Sequence, residues 1–135
     1  MTVMDAENRR ALRRTLDSAP HFSERCVAAF YRRLFAAAPG ALPLFTKPES
    51  QHRMFTLAID LMVREIDAPE RLAREMAALG RRHRGKGIQP SHMAAGRRAF
   101  VEAVAEACPA LAPEELQLFG RLYDQFAEAM TGRAD

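Results

Sequence analysis

Proline placement constrains the fold of this chain more than any other feature. The prolines stand where apolar periodicities of about 3.6 residues stop and restart. A proline inside a helix costs about 3 kcal/mol, whereas one in the first turn is tolerated, so these prolines read as boundaries. Asp5 to Leu16 has a mixed period and ends before Pro20. Phe22, Cys26, Val27, Phe30, Tyr31, Leu34 and Phe35 trace an amphipathic helix that stops near Pro39, and Pro39 to Phe45 reads as a short helical corner. Pro48 opens a helix whose apolar face is Met54, Phe55, Ala58, Ile59 and Met62, and Asp67-Ala68-Pro69 starts one that ends at His83. Ser91 to Cys108 and Pro113 to Met130 are two further long helices, the second closing before Gly132. No period-two alternation, internal repeat or low-complexity stretch interrupts this pattern. The spacing therefore predicts an all-α chain of unequal helices, which suits oblique crossings better than a regular bundle.

At 135 residues the chain is expected to form a single domain over residues 1–135, large enough to bury a core without staples. No apolar run approaches the roughly 18 residues that span a bilayer. Met1-Thr2-Val3-Met4-Asp5 carries an acid early and has no basic region before an apolar core, so it does not read as a signal peptide and the expected location is cytoplasmic. Cys26 and Cys108 stand far apart amid apolar residues, outside any Cys-x-x-Cys pattern, and read as small core residues. The 20 basic residues face 17 acids for a net charge of +3. Arginine pairs such as Arg9-Arg10, Arg32-Arg33 and Arg97-Arg98 fall mostly on solvent sides of helices without interleaved aromatics, which argues against a nucleic-acid partner.

Four residues do not fit a plain core. Leu72, Met76, Leu79 and His83 recur at i, i+4, i+7 and i+11, so an imidazole ends a stripe that should be aliphatic. A buried histidine takes either a hydrogen-bonding neighbour or a metal, the latter through one ring nitrogen while the other donates to a carbonyl about one turn back. Tyr31 lies on the row Val27, Tyr31, Leu34, Phe35, so its hydroxyl needs an interior partner. Gln51 begins the apolar row Met54, Phe55, Ala58, Ile59 and Met62, and Phe45 is an aromatic wedge at a helical corner.

Five stretches carry a resemblance: Phe30-Tyr31-Arg32-Arg33-Leu34-Phe35, Pro39 through Pro43-Leu44-Phe45, Gln51-x-x-x-Phe55, Leu79-Gly80-Arg81-Arg82-His83, and Gly87-Ile88-Gln89-Pro90-Ser91-His92. In this order and spacing the chain resembles bacterial single-domain haemoglobins, the three-over-three globins related to the haem domain of flavohaemoglobins. The resemblance implies a globin fold with obliquely packed helices around a pocket for haem b (iron protoporphyrin IX). His83 would be the metal ligand, with its second nitrogen directed at the Leu79 carbonyl. Phe45 would stack on the porphyrin, Met54, Phe55, Leu79, Ile88 and Val101 would line it, and Arg82 would pair with a propionate. Tyr31 and Gln51 would face the bound gas. The ligand implied is O2, with NO and CO as further candidates.

A phenol or amide donor aimed at a polar bound gas makes a charge-assisted hydrogen bond of roughly 1.5–3 kcal/mol. That corresponds to a release slowed roughly ten- to a hundredfold, and CO, less polar when bound, should gain less. Because an amide is a poor iron ligand, a five-coordinate ferrous state is expected. His52 is the alternative: a one-residue shift would carry it to the iron and give a six-coordinate state, although Phe55 stays on the row only with Gln51 facing the haem.

The chain departs from these relatives in two places. Met93 stands where they have a tyrosine, and Glu128 is out of register to supply their proximal acid, so less electron push from the histidine is expected. A chain that ends near Asp135 leaves no room for flavin or nicotinamide domains, so turnover would need an external reductase. The leading expectation is a haem protein that binds O2, with NO dioxygenation as the activity the resemblance adds. Two other readings stay open. One is a haem-based O2 or redox sensor acting through a partner, and the other is a haem-free helical module in which His83, Tyr31 and Gln51 satisfy one another.

Overall fold

The computed structural model describes residues 6–40, 48–82 and 90–131, and among them the regular structure is helical, without strands. Six helices follow in order: α1 (Ala6–Asp17), α2 (Phe22–Ala37), α3 (Pro48–Arg64), α4 (Pro69–Arg82), α5 (Pro90–Ala107) and α6 (Pro113–Thr131). Proline is the first residue of α3, α4, α5 and α6, a place where its missing N–H has no helical partner to lose. At the start of α6 the Ala112 N–H donates to Glu115 Oε1 at 2.8 Å, so a carboxylate satisfies an N–H that the helix leaves free. The expected corner from Pro39 to Phe45 is described only at Pro39 and Gly40, which form a short 3₁₀ turn, and the rest lies outside the described residues.

The turn between α1 and α2 is made by an unusual residue. His21 is exposed and adopts φ 54, ψ 38, the left-handed region that side chains with a Cβ seldom occupy. Its carbonyl accepts from the Arg25 N–H at 3.0 Å, which starts α2.

The tertiary pairing is not that of an up-and-down bundle, in which consecutive helices would share the largest contacts. Here α4 packs chiefly on α6 and α2 chiefly on α5, with smaller contacts of α5 on α6 and α2 on α3. A run of phenylalanines joins these layers. Phe30 on α2 stacks on Phe55 of α3 at 4.4 Å between centroids, and Phe55 meets Phe100 of α5 edge-on at 6.3 Å. Phe100 meets Phe119 of α6 at 6.3 Å, and Phe119 returns to Phe22 of α2 at 6.3 Å. Around this run lie the fully buried Leu12, Val27, Ile59, Ile66, Leu72 and Val104. Cys26 and Cys108 are buried and unbridged, as expected of small core residues.

Polar ties on the rim position the helices rather than hold them strongly. The Arg13 guanidinium pairs with Asp67 at 3.1 Å and donates to the Arg64 carbonyl at 2.7 Å, joining α1 to the end of α3. Ser23 on α2 donates to Asp60 on α3. Arg32 and Arg33 both reach Glu106 on α5 and hold its carboxyl below the usual carboxylate range, but these groups are exposed and water screens them.

Gly96 is the residue that sets the approach of α5 to α6. A Cβ placed there would lie 2.1 Å from the Tyr123 hydroxyl oxygen, so that hydroxyl fills the space a side chain would take. Tyr123 is buried and its ring stacks on Phe100 at 5.7 Å, which leaves it little room to move aside. Gly96→Ala is therefore expected to destabilise the fold by about 1–3 kcal/mol, despite the gain of up to about 1 kcal/mol that alanine brings to a helix interior. The urea unfolding midpoint checks this, and a midpoint equal to or above the wild-type value would contradict it. Gly120 differs, because its nearest neighbour is the end of the flexible Arg97 side chain at 2.6 Å.

Candidate functional site

Tyr31 is the centre of the described part of the site. Helix α2 presents it one turn before Phe35, and the row Val27, Tyr31, Leu34 and Phe35 runs from fully buried through half-buried positions. The phenol is surrounded by rings. Phe35 stacks beside it at 5.8 Å, Phe30 meets it edge-on at 5.4 Å, and Phe55 of α3 tilts against it at 6.0 Å. His52, also on α3, lies nearly parallel to it at 5.5 Å with an interplanar angle of 24°.

Burial pushes the Tyr31 phenol up from 10.0 to about 12. The ionised form is the one that burial disfavours, so at neutral pH the hydroxyl keeps its proton and can donate it. Folding thus raises the affinity for this proton. Its contribution to stability is present below pH 10 and is lost as the pH rises from there towards about 12. Tyr123 is shifted in the same direction, chiefly by burial and further by the Asp124 charge.

Helix α3 places two candidate residues at the edges of its buried face. At about 100° per residue, positions 51 and 52 fall on opposite flanks of the row Phe55, Ile59 and Met62, which Ile66 follows in the turn after the helix. Of these Phe55 is half-buried and the other three are buried. The side chains of Gln51 and Met54 lie outside the described residues. The His52 ring is exposed and stacked on Tyr31. The row of Phe55 pointed to Gln51 as the inward residue, and the contact made by His52 depends on how α2 crosses α3, which spacing does not give.

Helix α4 carries buried Leu72 and Met76 and half-buried Leu79 along one row, and Arg82 is exposed at its last described position. Leu79 and Arg82 are three residues apart, so an apolar contact and a cation share one side of this helix. On α5, Val101 and Met93 are both half-buried. Phe45, His83 and Ile88 lie outside the described residues. The structure thus brings Tyr31 and Phe55 into contact, while Leu79 and Arg82 stand on α4 and Val101 on α5. Phe35 and His52 are the neighbours of Tyr31 that the sequence reading left without a role beside it. The i, i+4 spacing of Tyr31 and Phe35 was a usable signal for the first.

The family model for globins matches residues 28–130, from within α2 nearly to the end of α6. The chain belongs to the globin family. Globin membership carries haem binding and an oxygen-related function. Among curated proteins, none matches the chain. Among the described residues no helix is long and apolar enough to cross a membrane.

Haem fits the residues present in this globin. Among the described residues no three His, Cys, Asp or Glu side chains converge to hold a bare metal ion, whereas a porphyrin supplies its own equatorial ligands and asks the protein for apolar walls and an axial donor. Tyr31, Phe35, Phe55, Leu79 and Met93 each pack against the core while keeping part of their surface uncovered. An apolar ligand would complete the burial of such side chains, and those of Tyr31, Phe35 and Phe55 form one cluster between α2 and α3. Arg82, beyond Leu79 on the same side of α4, suits the carboxylates at the edge of such a group.

Proposed function

We propose that the protein is a haem b globin that binds O2 at ferrous iron held by His83, and that it joins NO to O2 to form nitrate while an external reductase returns the electron. When bound, haem supplies a ferrous site for O2 and the single electron that conversion of NO plus O2 into nitrate consumes. The chain's residues do the rest. Tyr31 and Gln51 donate hydrogen bonds to the gas, and Phe55, Leu79, Val101, Met54 and Ile88 exclude water around it. Phe45 holds the ring by stacking and Arg82 its carboxylate edge.

The observation that carries this reading is Tyr31, a half-buried phenol in a globin fold ringed by aromatic side chains, a hydrogen-bond donor at neutral pH that burial keeps still further from ionisation. A donor held in an apolar setting strengthens binding of a ligand with negative character and adds less for a neutral one. Tight retention of O2 suits chemistry on that gas better than delivery of it.

The test mixes the oxygenated protein with one equivalent of NO. Nitrate is expected in equal amount to the protein, together with conversion to the ferric spectrum. Displacement of O2 by NO without nitrate would restrict the function to gas binding or sensing.

A further inference from the structure

We infer that His52 is a positioning residue for the Tyr31 hydroxyl, acting from the protein surface through the face of the phenol ring. The inference rests on the haem reading above, since it concerns how Tyr31 meets a bound gas. The direction of a tyrosine hydroxyl in a pocket is set by two side-chain torsions, and these are restricted only by what touches the ring. Among the described residues two rings lie nearly parallel to the Tyr31 phenol: Phe35 at 22° on its own helix, and His52 at 24° on the facing helix. Phe30 and Phe55 meet it at steep angles of 66° and 57°. The parallel contacts resist rotation of the ring out of its plane, and of these two the one from His52 spans the two helices.

The placement of this contact relates it to the α2–α3 crossing. Ser23 and Asp60 form a polar tie between these helices, and the stacked rings of Tyr31 and His52 make a second contact about two turns further along each, in antiparallel sense. Separation of the helices is thereby held on both sides of the interval between the two contacts. Within α3, Thr56 Oγ1 donates to the His52 carbonyl at 2.9 Å, and Phe55, one turn from His52, touches the same phenol. His52 and Phe55 therefore act on Tyr31 as one face of α3. His52 is exposed and adds little to the core, so its removal should disturb the phenol without unfolding the chain.

The stack also bears on the coordination state. An imidazole engaged with the Tyr31 ring does not serve as an iron ligand in that position, which favours a five-coordinate ferrous state over one with His52 bound. The contact gives His52 a role that its place in the sequence, beside Gln51, did not indicate.

The experiment compares wild-type, His52→Ala and His52→Phe protein with haem bound. Loss of the stack is expected to speed O2 release by about 2- to 10-fold, the equivalent of one aromatic pair. The infrared C–O band of the carbonmonoxy form should split or broaden in His52→Ala, as the phenol samples further orientations. His52→Phe restores the flat contact without the imidazole chemistry, and should return both readouts to the wild-type values. In proton NMR spectra of the carbonmonoxy protein the His52 ring resonances should be displaced by the Tyr31 ring current, and Tyr31→Leu should abolish that displacement. An unchanged rate and band in His52→Ala would overturn the inference, as would a His52→Phe protein no better than His52→Ala. Failure to take up haem would instead remove the reading on which the inference rests, so the two failures are distinguishable.

Discussion

His83→Gly protein is expected to lose its haem, and added imidazole to restore it. The row Leu72, Met76, Leu79 runs along α4 with its first two residues buried and Leu79 half-buried, and position 83 is the next on that row. By sequence spacing an imidazole there would continue the row of Leu79, and Arg82, the last residue of α4, is exposed and suited to a carboxylate. Loss of an outer partner to a metal ligand already costs roughly 10- to 100-fold in affinity, and loss of the ligand itself should exceed that. The Soret absorbance per protein should therefore fall to a small residue in the variant. Free imidazole can enter the space left by the deleted side chain and supply the nitrogen. A variant that retains its Soret band would show that His83 is not the ligand, and one that loses haem without rescue by imidazole would point to a folding defect.

The second large effect is expected at Tyr31. Replacing it with phenylalanine removes the hydroxyl and keeps the ring, so the contacts with Phe30, Phe35, Phe55 and His52 persist. The fold should be nearly unaffected, because the hydroxyl alone is lost from a half-buried position. O2 release should rise roughly 10- to 100-fold, the equivalent of a charge-assisted hydrogen bond of roughly 1.5–3 kcal/mol. CO release should change much less. Flash photolysis and stopped-flow measurement of both gases check this. Equal changes for O2 and CO would mean that the substitution altered access to the pocket, and no change in either would remove Tyr31 from the site.

The helices were legible because their limits are chemical. Proline at the first residue of α3, α4, α5 and α6 marks each start by a property of its own backbone, independent of tertiary contacts. The half-burial of Leu79 and Tyr31 was less accessible. Their rows predicted an interior direction, but a periodic stripe does not distinguish a core that other residues fill from one that a cofactor completes. Positions 51 and 52 mark the limit of periodicity more sharply. The row of Phe55 favours Gln51 inward, but both positions flank that row closely, and the contact of His52 with Tyr31 depends on how α2 crosses α3. Gly96 and Tyr123 belong to the same class. Nothing local says that a glycine on α5 admits a phenol from α6, because the 2.1 Å conflict exists only once the helices are packed.

The state proposed for this globin is a five-coordinate ferrous haem with a donor facing the gas. The most direct test is the ultraviolet-visible spectrum of protein produced with haem available, recorded in the ferric, dithionite-reduced and oxygenated states. A Soret band, a reduced spectrum of the five-coordinate type and a long-lived oxygenated form are predicted. A colourless protein would contradict the claim and leave a haem-free helical module, whereas a six-coordinate reduced spectrum would mean that a side chain from α3, His52 first among them, reaches the iron.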